Sequence, residues 1–147
     1  MSAVLNVPPA AQPLHLDYLR HKLAFYTDAW DLALDLATGQ APIVVVDARS
    51  PEHYAAGHIC GAINFPHRTM DAESTAQLDR EKIYITYCDG IGCNGSTKAA
   101  LRLAELGFAV KELIGGLDFW RRDGHPLTLG SEVGAWPDTT TAPECGC

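Results

Sequence analysis

Ile83-Tyr84-Ile85-Thr86-Tyr87-Cys88-Asp89-Gly90-Ile91-Gly92-Cys93-Asn94-Gly95-Ser96 is an apolar run that ends on a cysteine and passes through a glycine-studded loop into a helical segment. The run reads as a strand, because Ile, Tyr and Thr favour a pleated, half-buried surface. Glycines at 90, 92 and 95 let backbone N–H groups turn inward, and the start of the following helix adds positive potential. Anions collect in such places, and here the anion can be the thiolate of Cys88 itself.

The flanking sequence alternates between two periods. Ile43-Val44-Val45-Val46 is a short, continuous β-branched run that suits a parallel strand covered on both faces, with Asp47 and Arg49 at its carboxyl end. Strands are also predicted over 62–65, ending at Pro66, and over 109–114. Leu16, Leu19, Leu23, Trp30, Leu34 and Ala37 recur at helical intervals and predict one helix over 14–37, stopped by Gly39 and Pro42. Shorter helices are predicted over 52–56, 72–78 and 117–122. A clearer one covers 97–106, with Ala99, Leu103 and Leu106 on one face and Gly107 as its stop. Strands alternating with helices predict an α/β domain with a mainly parallel sheet and right-handed crossovers. Ligands in such sheets bind at the carboxyl ends of strands, where Cys88 sits.

The chain of 147 residues is enough for one domain with one core. Residues 1–13 read as a flexible lead-in, 14–128 as the domain and 129–147 as a tail rich in Gly, Thr, Pro and acidic residues. The opening residues lack a basic start and a continuous apolar segment, so no signal peptide is expected and the cytoplasm is the expected compartment. A net charge of −7 argues against a general nucleic-acid binder, and no apolar run is long enough to span a bilayer. The five cysteines are odd in number and form no paired framework, so most are expected to be thiols. Their spacings also lack the paired two-residue separations of zinc sites, and neither a metal nor an organic cofactor is expected.

A wider pattern surrounds the cysteine loop. Asp47-Ala48-Arg49, Glu52-His53-Tyr54, Gly57-His58-Ile59-Cys60-Gly61-Ala62-Ile63-Asn64, Tyr87-Cys88 with its loop, Gly115-Gly116 with Trp120, and Gly124-His125-Pro126 follow one another in an order that resembles a single-domain rhodanese. The resemblance covers residues 43–127. It implies a mainly parallel five-stranded sheet flanked by helices, here with an added N-terminal helix. It also implies a sulfurtransferase that carries sulfur as a persulfide on the cysteine matching Cys88. The implied partners are a small sulfur donor and a thiol or cyanide acceptor, which can be a protein thiol. Asp89, Gly90, Ile91, Gly92, Cys93, Asn94, Gly95 and Ser96 are the expected substrate-binding loop, and Arg49, at a neighbouring strand end, either joins it or pairs with a carboxylate as scaffold.

This loop departs from the family pattern. It is longer than in many members, Asp89 adjoins the nucleophile, and no Lys or Arg occurs before Lys98. Backbone amides and the helix start are therefore expected to supply the anion stabilisation, and Asp89 is expected to repel thiosulfate. No Arg lies between Cys88 and Arg102, so the clamp of the related phosphatases is missing. Cys93 either resolves a persulfide or sulfenate as a disulfide or packs as a small loop residue. Cys145 and Cys147 read as tail thiols, and Cys60 as structural. His58 and His67 read as scaffold, and Phe119 and Trp120 as core caps behind the last strand.

Two other classes fit parts of the sequence. Gly90-Ile91-Gly92-Cys93-Asn94-Gly95 is a GxGxxG between strand and helix with Glu112 downstream, the dinucleotide fingerprint, but too few strands follow it for a dinucleotide fold. A non-catalytic binding or regulatory module would keep the loop and dock a partner instead of turning over.

Overall fold

The computed structural model describes residues 1–138. Five strands form one sheet: β1 (Tyr26–Thr27), β2 (Ile43–Asp47), β4 (Ile63–Asn64), β5 (Ile83–Tyr87) and β6 (Ala109–Leu113), ordered β1-β6-β5-β2-β4. Every pairing in it is parallel. The β2–β5 register runs from Ile43 opposite Ile83 to Asp47 opposite Tyr87, so these two polar side chains finish side by side at the carboxyl edge. Cys88 is the next residue.

Both faces of the sheet are covered, which explains why β2 and β5 read as continuous apolar runs. Val45, Ile85, Tyr87 and Leu113 pack with Leu32 and Ala33 of α2 (Ala29–Thr38) and with Leu117 and Trp120 of α5 (Gly116–Arg122). Val46 and Tyr84 face the other way, toward Ala99 and Leu103 of α4 (Gly95–Glu105) and toward Phe108. A short helix, α3 (Pro51–Ala56), follows β2, with the Ser50 hydroxyl accepting the His53 N–H at 3.4 Å. Among the described residues no helix is long and apolar enough to cross a membrane.

Two predicted helices differ in the structure. The helix predicted over 14–37 is two helices, α1 (Gln12–Phe25) and α2, separated by β1. Tyr26 and Thr27 pair with Glu112 and Leu113 at the sheet edge, and the Asp28 carboxylate accepts the Asp31 N–H at 2.9 Å, so a new cap starts α2. No residue of α1 is buried, and Leu16, Leu19 and Leu23 of the helical repeat are exposed. Residues 72–78 form turns instead of a helix. There the Ser74 N–H donates to Asp71 Oδ1 at 2.7 Å and the Asp71 N–H to Ser74 Oγ at 2.9 Å, local bonds that compete with a helical ladder.

A second, two-stranded sheet pairs β3 (His58–Ile59) antiparallel with β7 (Leu127–Thr128). Past β7 the chain stays against the domain. The Gly130 N–H donates to Ala55 O at 2.8 Å and the Gly61 N–H to Val133 O at 2.7 Å. The Trp136 ring meets Trp120 edge-on with centroids 6.5 Å apart.

Asp47, fully buried, ties the strand ends together. Its carboxylate accepts the Arg49 N–H at 2.9 Å, Arg49 Nε at 3.0 Å, Arg49 Nη2 at 2.6 Å and the Tyr87 hydroxyl at 2.6 Å. Arg49 Nη2 also donates to Gly57 O at 2.7 Å and Nη1 to Asp89 Oδ1 at 3.1 Å. Tyr87 Oη in turn accepts the Ile59 N–H at 3.1 Å. Burial, then the Asp47 charge, pushes the Tyr87 hydroxyl well above its ordinary pKa, so it stays a donor. For Arg49 burial works toward a lower pKa, but the hydrogen bonds and charge of Asp47 win and raise it.

The loop is held from the other side by α5. The Leu117 N–H donates to Cys88 O at 3.0 Å and the Asp118 N–H to Asp89 O at 2.8 Å. Gly115 and Gly116 make this approach with φ of 79° and 57°, and a Cβ on Gly116 would run into the carbonyl oxygen of Cys88.

Two stability outcomes follow from these contacts. Asp47→Ala strands a buried guanidinium and should cost about 3–5 kcal/mol in urea unfolding; a loss below about 1 kcal/mol, the value of an exposed pair, would contradict the network. Gly116→Ala combines a left-handed backbone with a clash and should cost on the order of 1–3 kcal/mol or more, read as a lowered unfolding midpoint.

Candidate active site

The strand ends deliver Cys88 to the first turn of α4. Three bonds fix that turn: Thr86 Oγ1 donates to Ser96 O at 3.0 Å, and the hydroxyls of Ser96 and Thr97 donate to Glu112 Oε2 at 3.2 and 2.9 Å. Glu112, the acidic residue of the dinucleotide fingerprint, is thus engaged in holding the helix to β6. Asn94 caps α4 through its backbone, its carbonyl accepting the Lys98 N–H at 3.0 Å, while its side chain makes no cap bond.

Cys88 is joined to Cys93 by a disulfide, with their Cα atoms 6.3 Å apart. Cys93 thus lies within bonding reach of Cys88, as a resolving role would require. The Cys93 N–H donates to Gly90 O at 3.1 Å, closing a turn that folds residue 93 back over the strand tip. The Gly95 N–H points at Cys93 Sγ at 3.4 Å. A Cβ at position 95 would lie 3.0 Å from Cys88 Sγ and 3.4 Å from Cys93 Sγ, so both sulfurs occupy space that only glycine leaves open at the helix start. Cys88 is 5% exposed, whereas Cys93 is half-buried and faces the surface.

Beside the loop lies a cleft of about 620 Å³, bounded by Asp89, Gly90, Ile91, Gly92 and Cys93 on one side and Asp118, Phe119 and Arg122 on the other. Ile91, at the loop tip, is 76% exposed. Phe119, read from sequence as a core cap, therefore lines the cleft; Trp120 alone is fully buried. The sequence reading missed Asp118 and Arg122, which a seven-residue helix sets opposite the loop. The only signal for them was the Gly115-Gly116 turn that starts that helix.

Cations from outside the loop reach it. Arg49 pairs with Asp89 although 40 positions separate them in the sequence, so the acidic neighbour of Cys88 is partly neutralised. Arg49 itself is buried, donates to Asp47, Gly57 and Asp89, and is not among the cleft-lining residues. Arg122 stands at the cleft with Nε 3.4 Å from Asp118 Oδ1 and its guanidinium over the Phe119 ring.

The other singled-out residues lie elsewhere. His58 is fully buried, stacked on Tyr54 with centroids 3.6 Å apart and with Nδ1 2.9 Å from Tyr54 O. Cys60 is a buried free thiol. His67 sits in a short turn of helix near Lys98 and Arg102, where burial and then these cations lower its pKa. Among the described residues no group of three or more His, Cys, Asp or Glu side chains is arranged to hold a metal. Cys145 and Cys147 lie outside the described residues.

Comparison with known proteins agrees with this architecture. A family profile for the rhodanese-like domain matches residues 30–123. The chain is 34% identical over 91 residues to thiosulfate sulfurtransferase 16, chloroplastic, of Arabidopsis thaliana, covering 55% of this chain and 76% of that protein. It is 37% identical over 92 residues to an HTH-type transcriptional regulator of Mycobacterium tuberculosis, covering 63% of this chain but only 40% of the regulator's length. The crystal structure of the BH2092 protein from Bacillus halodurans superposes with a TM-score of 0.78 at 40% identity, over 89% of this chain and 94% of that one. The chain belongs to the rhodanese-like domain family.

Proposed function

We propose that the protein is a sulfurtransferase in which Cys88 carries sulfane sulfur from a small donor to a thiol or to cyanide. One observation carries the reading: Cys88 Sγ sits against the first turn of an eleven-residue helix, in a glycine loop beside an open cleft. The aligned peptides of α4 place partial positive charge there, which favours a thiolate and then a persulfide anion over their protonated forms. The likeness to a thiosulfate sulfurtransferase supports the same chemistry.

In the loading step the Cys88 thiolate attacks the outer sulfur of the donor. A bond forms between the two sulfurs, and the donor's bond to that sulfur breaks, its electron pair leaving with the rest of the donor. With thiosulfate the leaving group is sulfite. In the unloading step an acceptor thiolate or cyanide attacks the outer sulfur and Cys88 leaves as a thiolate. No metal or organic group takes part. Since Cys88 Sγ forms one S–S bond at a time, the disulfide to Cys93 has to be reduced before a donor can load. Partial neutralisation of Asp89 by Arg49 lowers the electrostatic penalty for an anionic donor, and Arg122 adds a cation at the cleft mouth.

A second reading, a sensing or docking module without turnover, is favoured by the likeness to a transcriptional regulator. The two readings diverge at the unloading step. Pre-reduced wild type should form thiocyanate from cyanide with thiosulfate or 3-mercaptopyruvate as donor, and Cys88→Ser, folded by circular dichroism, should form none above the buffer rate. Wild-type turnover that survives Cys88→Ser sinks the nucleophile assignment. A Cys88 that takes up one sulfur but never yields thiocyanate favours the module.

A further inference from the structure

The Cys88–Cys93 pair has a chemical consequence beyond sulfur transfer to an external acceptor. We propose that Cys93 is a resolving cysteine that attacks the persulfide on Cys88, releases its outer sulfur as hydrogen sulfide and leaves the disulfide; the inference rests on the persulfide reading above.

Three features place Cys93 for this step. The Gly90–Cys93 turn folds it back onto Cys88, so the two sulfurs meet within one loop. Gly95 leaves room for both sulfurs at the helix start, where any larger residue would crowd them. The Gly95 N–H points at Cys93 Sγ, an interaction that favours negative charge on that sulfur as it becomes the attacking thiolate.

The step balances. The Cys93 thiolate attacks Cys88 Sγ, a bond forms between the two cysteine sulfurs, and the bond from Cys88 to the outer sulfur breaks. The outer sulfur departs with that electron pair, as hydrosulfide at neutral pH. The sulfane sulfur gains two electrons, and the two cysteines lose them. With thiosulfate as donor the net change is thiosulfate plus two cysteine thiols giving sulfite, hydrogen sulfide and one disulfide. A dithiol reductant then restores the thiols.

Exposure sets the direction of that last step. Cys93 is half-buried and Cys88 is 5% exposed, so the reductant attacks Cys93 Sγ and expels Cys88. Both sulfurs lie at the start of α4, so the greater exposure of Cys93 decides which is attacked, and Cys88 leaves as a thiolate. The same attack therefore returns the nucleophile already ionised. The pair makes the domain a reductase of sulfane sulfur as well as a carrier, with external acceptors and Cys93 competing for one persulfide.

The test uses the full chain, reduced, desalted and given one equivalent of thiosulfate or, in parallel, of 3-mercaptopyruvate, with neither cyanide nor free thiol present. Sulfide is trapped and quantified, and the protein is weighed intact. Wild type should release near-stoichiometric sulfide and lose two hydrogens in mass, with the disulfide mapped to Cys88–Cys93. Cys93→Ser should gain one sulfur atom that stays until reductant is added, and its sulfide yield should fall about tenfold or more. Equal sulfide release from wild type and Cys93→Ser overturns the proposal. So does a wild-type persulfide that persists beside a free Cys93 thiol, and in that case the sulfurtransferase reading stands. If Cys93→Ser never gains sulfur at Cys88 from either donor, the persulfide reading fails and this inference falls with it. The double variant Cys145→Ser/Cys147→Ser should behave as wild type; loss of its sulfide release would assign the resolving role to those thiols instead.

Discussion

A carboxylate with no access to water, Asp47, is the constraint on which the carboxyl edge of the sheet depends. Burying a charge is costly unless it is paired and hydrogen-bonded, and Asp47 meets that condition through Arg49 and Tyr87. Each partner then reaches outward: Arg49 to Gly57 at the end of α3 and to Asp89 in the loop, and Tyr87 to the backbone of β3. One buried anion so fixes the relative positions of two strand ends, a helix end and the residue after Cys88. The loop can afford glycines because its surroundings are rigid.

The glycines then act by what they leave out. Gly116 lets α5 donate N–H groups to the carbonyls of Cys88 and Asp89, and Gly95 leaves the volume that two sulfurs fill. Positive charge reaches the loop through structure more than through its own side chains. The helix start, the Arg49 pair behind Asp89 and Arg122 across the cleft together stand where loop cations would. An anion at Cys88 is favoured by fixed dipoles, which need no reorganisation when the charge appears.

Much of this was legible in the sequence, for physical reasons that separate it from the rest. Val44 to Val46 and Ile83 to Tyr87 are strands buried on both faces, so their composition alone gives them away. Cys88 and the loop residues to Ser96 carry their chemistry in consecutive positions. Strand β1 could not be found in that way: Tyr26 and Thr27 are two residues within a helix-like periodicity, made into a strand by pairing with Glu112 and Leu113 far along the chain. The same holds for the Arg49–Asp89 pair and for Arg122 and Phe119 at the cleft, which depend on how α5 packs. Leu16, Leu19 and Leu23 are exposed, since a helical repeat of apolar residues does not guarantee that anything covers them. At Asp71 and Ser74 side-chain to backbone bonds won over helix formation.

The closing segment after β7 bears on how the chain reaches this state during synthesis. Thr128 pairs with His58, Val133 O accepts the Gly61 N–H, and Trp136 lies against Trp120. A nascent chain whose residues beyond Leu127 are still in the ribosome therefore has β3 unpaired and one side of its tryptophan core open to water. The parallel sheet already demands contacts between distant residues, which slow folding. Completion of the domain thus waits on the emergence of residues 128–136, and until then the partly formed core is the species a cotranslational chaperone would meet.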